Sequence, residues 1–172
     1  MCLFNRLNSM KFEHLVEINN PKDLLIKPLT RLQLWHGLIL RAEQPTLFVP
    51  QLDSCAIVER STHTISRCLK FGSLVVNDHV HFTAPNQICF HIPEQNDILA
   101  SSLKMTIEEP QPNRLFVRFT YEDTAPENGV DAFYNDFKRS AWREADIDTI
   151  RTIRQMAAEG RFNDPLETGK PE

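Results

Sequence analysis

Residues 74–93 read LVVNDHVHFTAPNQICFHIP. Two alternating runs flank TAPNQ, a turn-forming stretch. Pairing residues whose numbers sum to 170 sets Val80 against Phe90 and Phe82 against Ile88 on one face. On the other face His79 meets His91 and His81 meets Cys89. A slip of one residue would mix apolar with polar side chains, so the pattern selects this register. The stretch is therefore an antiparallel hairpin with one face made for a core.

Outward from the hairpin, the chain between residues 54 and 122 reads as a series of strands. The expected pieces are 54–61, 63–71, 74–82, 87–92, 98–109 and 114–122, separated by STH, FGS, TAPNQ, PEQND and EPQPN. Short turns between neighbours imply a six-strand antiparallel meander. An earlier alternating run, KFEHLVEIN (11–19), sets Phe12, His14, Val16 and Ile18 against Glu13, Leu15 and Glu17. It predicts one more strand, closed by Pro21.

Two segments have helical spacing. Thr30 and Gln33 have capping-box spacing, Trp35, Leu38, Ile39 and Ala42 follow as an apolar stripe, and Pro45 stops the helix. Leu47, Phe48 and Val49 then make an apolar elbow. After TAPENG (124–129), Phe133, Tyr134 and Phe137 share a helical face. Ile147, Ile150, Ile153, Arg154 and Ala157 continue a stripe, with a bend expected near 146 and Gly160 as the stop. The order strand, helix, meander, long helix predicts an α+β helix-grip fold. In it a curved antiparallel sheet wraps a C-terminal helix and leaves an internal cavity. The expected limits are a flexible extension over 1–10, one domain over 11–163 and a polar tail over 164–172.

Composition restricts the functional classes. The chain of 172 residues has a net charge of −4 and 41% hydrophobic residues, ordinary for a globular domain with its own core. That charge gives no reason to bind nucleic acid, and no run is apolar enough for a membrane span. MCLFNRLNSMKFEH is too short and polar for a signal peptide. Cys2, Cys55, Cys68 and Cys89 form no C-x-x-C pair and read as reduced thiols of a cytoplasmic protein. The five glycines build neither G-x-G-x-x-G nor a P-loop, and there is no G-x-S-x-G or H-E-x-x-H. No cofactor is expected, and a homodimer is left open.

Two segments, LTRLQLWHGLILRAEQPTLFVPQLDSCAIVER (29–60) and ADIDTIRTIRQMAAEGRF (145–162), resemble a small bacterial and fungal branch of the SRPBCC superfamily. The superfamily contains the birch-pollen allergen, the START lipid-transfer domains and the polyketide aromatase/cyclases. Fungal members of the branch sit in epipolythiodioxopiperazine clusters such as that for acetylaranotin. The resemblance spans residues 11–163 and implies a ligand cavity between sheet and C-terminal helix. The superfamily has no universal catalytic motif, so no catalytic residue carries over.

The candidate residues come from the strand parities instead. Inward parity places Ile57, Val80, Phe82, Phe90, Leu103, Val117 and Phe119 toward the ligand, with Phe48, Phe133, Ile153 and Met156 on the covering elements. The expected ligand is a small hydrophobic or aromatic molecule, bound largely by area burial. Asp78 shares the parity of Val76, Val80 and Phe82. Glu59 alternates with Val58 two strands earlier. A carboxylate in an apolar cavity has a raised pKa and suits general acid–base work, so either would serve a cyclase, dehydratase or isomerase. The competing reading is a strand-end carboxylate paired with Arg67 or Arg118. Tyr121 would offer its hydroxyl to a carbonyl, or would pack its ring and wet its hydroxyl. His79, His81, His91 and Cys89 are metal-ligand types on one face. Their parity is the outward one, so no metal is expected there.

Overall fold

The computed structural model describes residues 10–124 and 132–162, and the side chains of all of these but 132–134. The chain order is β1 (Met10–Glu17), α1 (Arg31–Glu43), a 3-10 turn (Pro45–Leu47), β2 (Ser54–Arg60), β3 (Thr64–Phe71), β4 (Leu74–Thr83), β5 (Gln87–Ile92), β6 (Ser101–Gln111), β7 (Arg114–Asp123) and α2 (Ala132–Ala158). Six strands form the expected meander. β1 adds to it beside β7, giving a seven-stranded antiparallel sheet in the order β1-β7-β6-β5-β4-β3-β2. The β4–β5 register is the one the alternation selects, with Val80 opposite Phe90 and His79 opposite His91. β1 begins at Met10, which is 2% exposed, so the sheet takes in the last residue of the expected extension. The rest of that extension, residues 125–131 and the C-terminal tail lie outside the described residues.

The turns and helix ends follow from local chemistry. Gly72 between β3 and β4 has φ 59°, and Asn113 between β6 and β7 has φ 65°. Glycine and asparagine tolerate that left-handed geometry best. α1 starts with a complete capping box: the Gln33 N–H donates to Thr30 Oγ1 at 3.0 Å, and the Thr30 N–H donates to Gln33 Oε1 at 2.9 Å. It ends before Pro45, whose ring cannot continue it. α2 ends on Gly160 at φ 77°, with the Arg161 N–H reaching back to the Met156 carbonyl at 3.0 Å.

The sheet is curved, its inner face carries the core, and both helices cover that face. The inner rows can be read across the strands. One row runs Phe82, Ile88, Met105, Phe119, His14 and the next runs Ile65, Val80, Phe90, Leu103, Tyr121, Phe12. From α1, Leu34, Trp35, Leu38 and Ala42 are buried; from α2, Ile150, Ile153 and Met156. The helices meet closely at Gly37. A Cβ built there would lie 2.5 Å from Ile153 Cγ2, so only glycine permits the approach. This is the α+β helix-grip architecture.

Three details differ from the sequence reading. α2 is continuous, so no bend forms near 146. Asp146 takes the inward position that an apolar residue would have taken, and this displaced the stripe. Ile147, expected on that stripe, is 44% exposed, and Phe137 is 68% exposed.

Candidate functional site

A cavity of about 580 Å³ lies between the sheet, the end of α1 and the first half of α2. Its floor includes Phe90, Leu103 and Tyr121 of one inner row, and Arg67, Asp78, Ile92, Ser101 and Asp123 of the next. Arg41, Pro45, Val49 and Leu52 close one side, and Lys138 and Trp142 of α2 close the other. Half of the lining residues are apolar and half polar or charged, and three sets of polar groups stand out.

The first set is saturated. Arg67 and Asp78 face each other across β3 and β4 and both are nearly fully buried. Arg67 Nε donates to Asp78 Oδ1 at 2.8 Å and Nη2 to Oδ2 at 2.5 Å, while Nη1 donates to the Ala42 carbonyl at 2.7 Å. Its guanidinium also lies 5.1 Å from the Phe90 ring centroid. The charges of this pair are spent on each other in a bidentate contact within the protein.

The second set is a chain of hydrogen bonds from β1 through α2 to the cavity wall. The Tyr121 hydroxyl donates to Asp146 Oδ1, and His14 Nδ1 lies 3.1 Å from Asp146 Oδ2. Asp146 is 2% exposed. Burial pushes its carboxyl up to about 6, against the opposing hydrogen bonds from Tyr121 and His14. Burial and then the Asp146 charge push the Tyr121 phenol upward. Trp142, one turn before Asp146, stacks on the Tyr121 ring with centroids 4.4 Å apart and planes within 6°. That contact fixes where the hydroxyl points. Lys138 Nζ lies 5.0 Å from the Trp142 ring centroid and donates to Asp123.

The third set is Arg41 alone. Its side chain lines the cavity and makes no hydrogen bond or ion pair among the described residues. Burial, then the neighbouring charge of Arg67, lowers its pKa to about 10.

The sequence-derived candidates divide among these places. Phe90, Leu103 and Tyr121 line the cavity, and so does Asp78, though in the grip of Arg67. Val80, Val117, Phe119, Ile153 and Met156 are buried in the filled core instead. The close α1–α2 approach at Gly37 leaves them no free space. Phe48, Ile57 and Phe82 pack partly against that core. In the elbow it is Val49, beside Phe48, that reaches the cavity. The Phe133 side chain lies outside the described residues. Glu59 is exposed, which corrects its expected inward position. A bulge between Ile57 and Glu59 aligns Glu59 with Ser66 of the outer face. The hairpin histidines are exposed, with His79 Nδ1 2.9 Å from Ser66 Oγ. Among the described residues no group of three or more His, Cys, Asp or Glu is placed to hold a metal ion. Asp146 and Arg41 escaped the sequence reading. The spacings Trp142–Asp146–Ile150 and Leu34–Leu38–Arg41 were the available signals.

Residues 13–160 match the family described as acetylaranotin biosynthesis cluster protein L, AtaL. The chain belongs to this family. No match was found among curated proteins. The fold is similar to that of the ZhuI aromatase/cyclase from Streptomyces sp. R1128, with a TM-score of 0.61 at 12% identity, covering 88% of this chain and 94% of that one. It is also similar to the di-domain aromatase/cyclase StfQ of the steffimycin pathway, with a TM-score of 0.66 at 9% identity, covering 90% of this chain and 52% of that one. Ara h 8.0201 gives 0.59 at 13% identity, over 88% and 99% of the two chains. At such identities the likeness is one of fold. No helix among the described residues is long and apolar enough to cross a membrane.

Proposed function

We propose that this AtaL-family protein binds a small hydrophobic or aromatic molecule in the cavity between the sheet and α2. The observation that carries this is the cavity itself: about 580 Å³ with Phe90, Leu103, Leu69, Ile92 and Trp142 on its wall. A space of that size and lining suits a ligand of a few fused rings, bound by area burial and oriented by a few polar groups. Fluorescence titration with naphthalene-, polyketide- and indole-type compounds tests it. Binding that is saturable in the wild type and lost in Leu103→Trp supports the cavity; binding untouched by Leu103→Trp refutes it.

The Tyr121–Asp146–His14 chain favours a second reading, a cofactor-independent isomerase, cyclase or dehydratase acting on the same ligand. A substrate proton passes to the Tyr121 oxygen while the Tyr121 proton moves to the Asp146 carboxylate. The reverse transfer returns a proton to another substrate atom, so the chain ends as it began. A carboxyl raised to about 6 is suited to such exchange near neutrality. Asp78, held by Arg67, acts in this reading as a counter-ion. Tyr121→Phe and Asp146→Asn would each cut turnover by roughly a hundredfold or more and leave ligand affinity within about tenfold. Turnover that survives both substitutions removes the Tyr121–Asp146 pair from the chemistry, and absence of turnover in the wild type leaves the binding reading alone.

A further inference from the structure

Among the described residues the cavity wall carries three cations, and two of them are held in ion pairs. Arg67 spends its guanidinium on Asp78 and the Ala42 carbonyl. Lys138 is held by Asp123. Arg41 has no hydrogen-bond or ion-pair partner among the described residues. Asp146 and Asp78 act on it through their charge, but neither bonds to it. Asp146 takes the Tyr121 hydroxyl and His14, and the two other carboxylates on the wall, Asp97 and Glu122, are exposed. Taking a guanidinium out of water without a partner costs stability. Its pKa, lowered to about 10, records that cost, yet leaves it charged at neutral pH. A guanidinium whose donors have no acceptor among the described residues, beside a cavity half lined by apolar residues, is suited to an anion.

Resting on the cavity reading above, we propose that Arg41 anchors a carboxylate, so that the ligand is an aromatic or polycyclic carboxylic acid. The guanidinium fork matches a carboxylate with two parallel hydrogen bonds, which a point charge such as lysine does not offer. The apolar body would then lie over Phe90 and Leu103 toward Trp142, with the Tyr121 hydroxyl on its flank. The acid brings the charge that Arg41 lacks. A neutral ligand of the same shape would leave the Arg41 donors without a charged acceptor.

Calorimetric titration of the full chain with naphthoic acid and with its neutral amide tests this near neutral pH. The wild type is expected to bind the acid about tenfold more tightly than the amide or better. In Arg41→Gln the preference for the acid over the amide should vanish. Arg41→Lys should keep only part of it. Leu103→Trp should lose both compounds, which places both in the cavity. The ligand-free melting temperature of Arg41→Gln should stay close to that of the wild type, because Arg41 makes no hydrogen bond or ion pair among the described residues. Equal affinity for acid and amide in the wild type overturns the proposal and leaves the cavity reading standing. So does an acid preference that persists in Arg41→Gln, or a large drop in its melting temperature. Failure of the wild type to bind either compound, or binding that survives Leu103→Trp, counts against the cavity reading and takes this proposal with it.

Discussion

The inner row Phe82, Ile88, Met105, Phe119 and the adjacent row Val80, Phe90, Leu103, Tyr121 lie on the same strands, one step of the pleat apart. Over the first, Leu34, Leu38, Ile150 and Ile153 fill the space, and Gly37 lets the helices close on it. Over Phe90, Leu103 and Tyr121 of the second and beyond them, the same helices present Arg41, Lys138 and Trp142, and a cavity of about 580 Å³ remains. The sheet does not distinguish the two ends; the helices do. Aliphatic residues at one end collapse the fold. Long, polar or ringed residues at the other hold it open, since their heads need partners that aliphatic packing cannot supply.

The largest effect is expected at the floor of the open end. Asp78→Ala leaves Arg67 buried without its counter-ion and should cost about 3–5 kcal/mol in urea denaturation. Replacing both residues with hydrophobic ones of similar volume should recover much of that loss. A loss under about 1 kcal/mol in the single variant would mean that water reaches the pair, and the two ends would then differ less than their geometry implies.

Next comes Asp146, on the boundary between the ends. Its carboxyl is raised from 3.8 to about 6 in the folded protein, so the folded state binds the proton more tightly than the unfolded chain. Stability from this group is therefore present at low pH and is lost as pH rises through about 6. Above both values the buried carboxylate costs at most about 3 kcal/mol. His14, Tyr121 and Arg41 face it and temper the cost. Asp146→Asn should be more stable than the wild type at about pH 7.5 and should flatten the stability profile between about pH 4 and 7. A wild-type profile in this window that is unchanged in Asp146→Asn would remove Asp146 as its source.

Smaller again is Gly37→Ala at the filled end. The new methyl would meet three Ile153 carbons at 2.5–3.0 Å. Overpacking of about 1–3 kcal/mol is offset by up to about 1 kcal/mol of helix propensity, for a net loss of about 1–2 kcal/mol. Ile153→Val in the same chain should relieve part of it, which a double-mutant cycle would read.

How much of this was legible in the sequence differs between the two ends for the same reason. The sheet and its register were written in period-two alternation, as Val80–Phe90 and Phe82–Ile88 show, and alternation is a local signal. The filled core followed from it. The open end was legible only in part. Phe90, Leu103 and Tyr121 could be placed by parity, but parity does not say which row a helix fills. That depends on Gly37 meeting Ile153, a contact between distant segments. Asp146 and Arg41 sit at helical positions where a hydrophobic stripe is expected, and a stripe search passes over a charge. Glu59 was misplaced because a bulge inverts parity without a mark in SCAIVER.

The smallest effect compares the ends most directly. Leu103→Phe adds volume on the row that carries the cavity, where the new ring has empty space above it. Overpacking is costly only where neighbours cannot yield, and at Leu103 there are none to displace in that direction. Its stability should therefore stay within about 1 kcal/mol of the wild type, and the added apolar contact offsets the loss of side-chain freedom. The equivalent enlargement on the neighbouring filled row, Met105→Phe, changes shape in a space closed on every side. It should cost about 1–3 kcal/mol. Ligand affinity should show the opposite order, falling in Leu103→Phe as the ring takes ligand space and holding in Met105→Phe. Thermal denaturation beside a fluorescence titration measures both. If Leu103→Phe proves as destabilising as Met105→Phe, the space over Phe90 and Tyr121 is filled in solution, and the contrast between the two ends fails at its root.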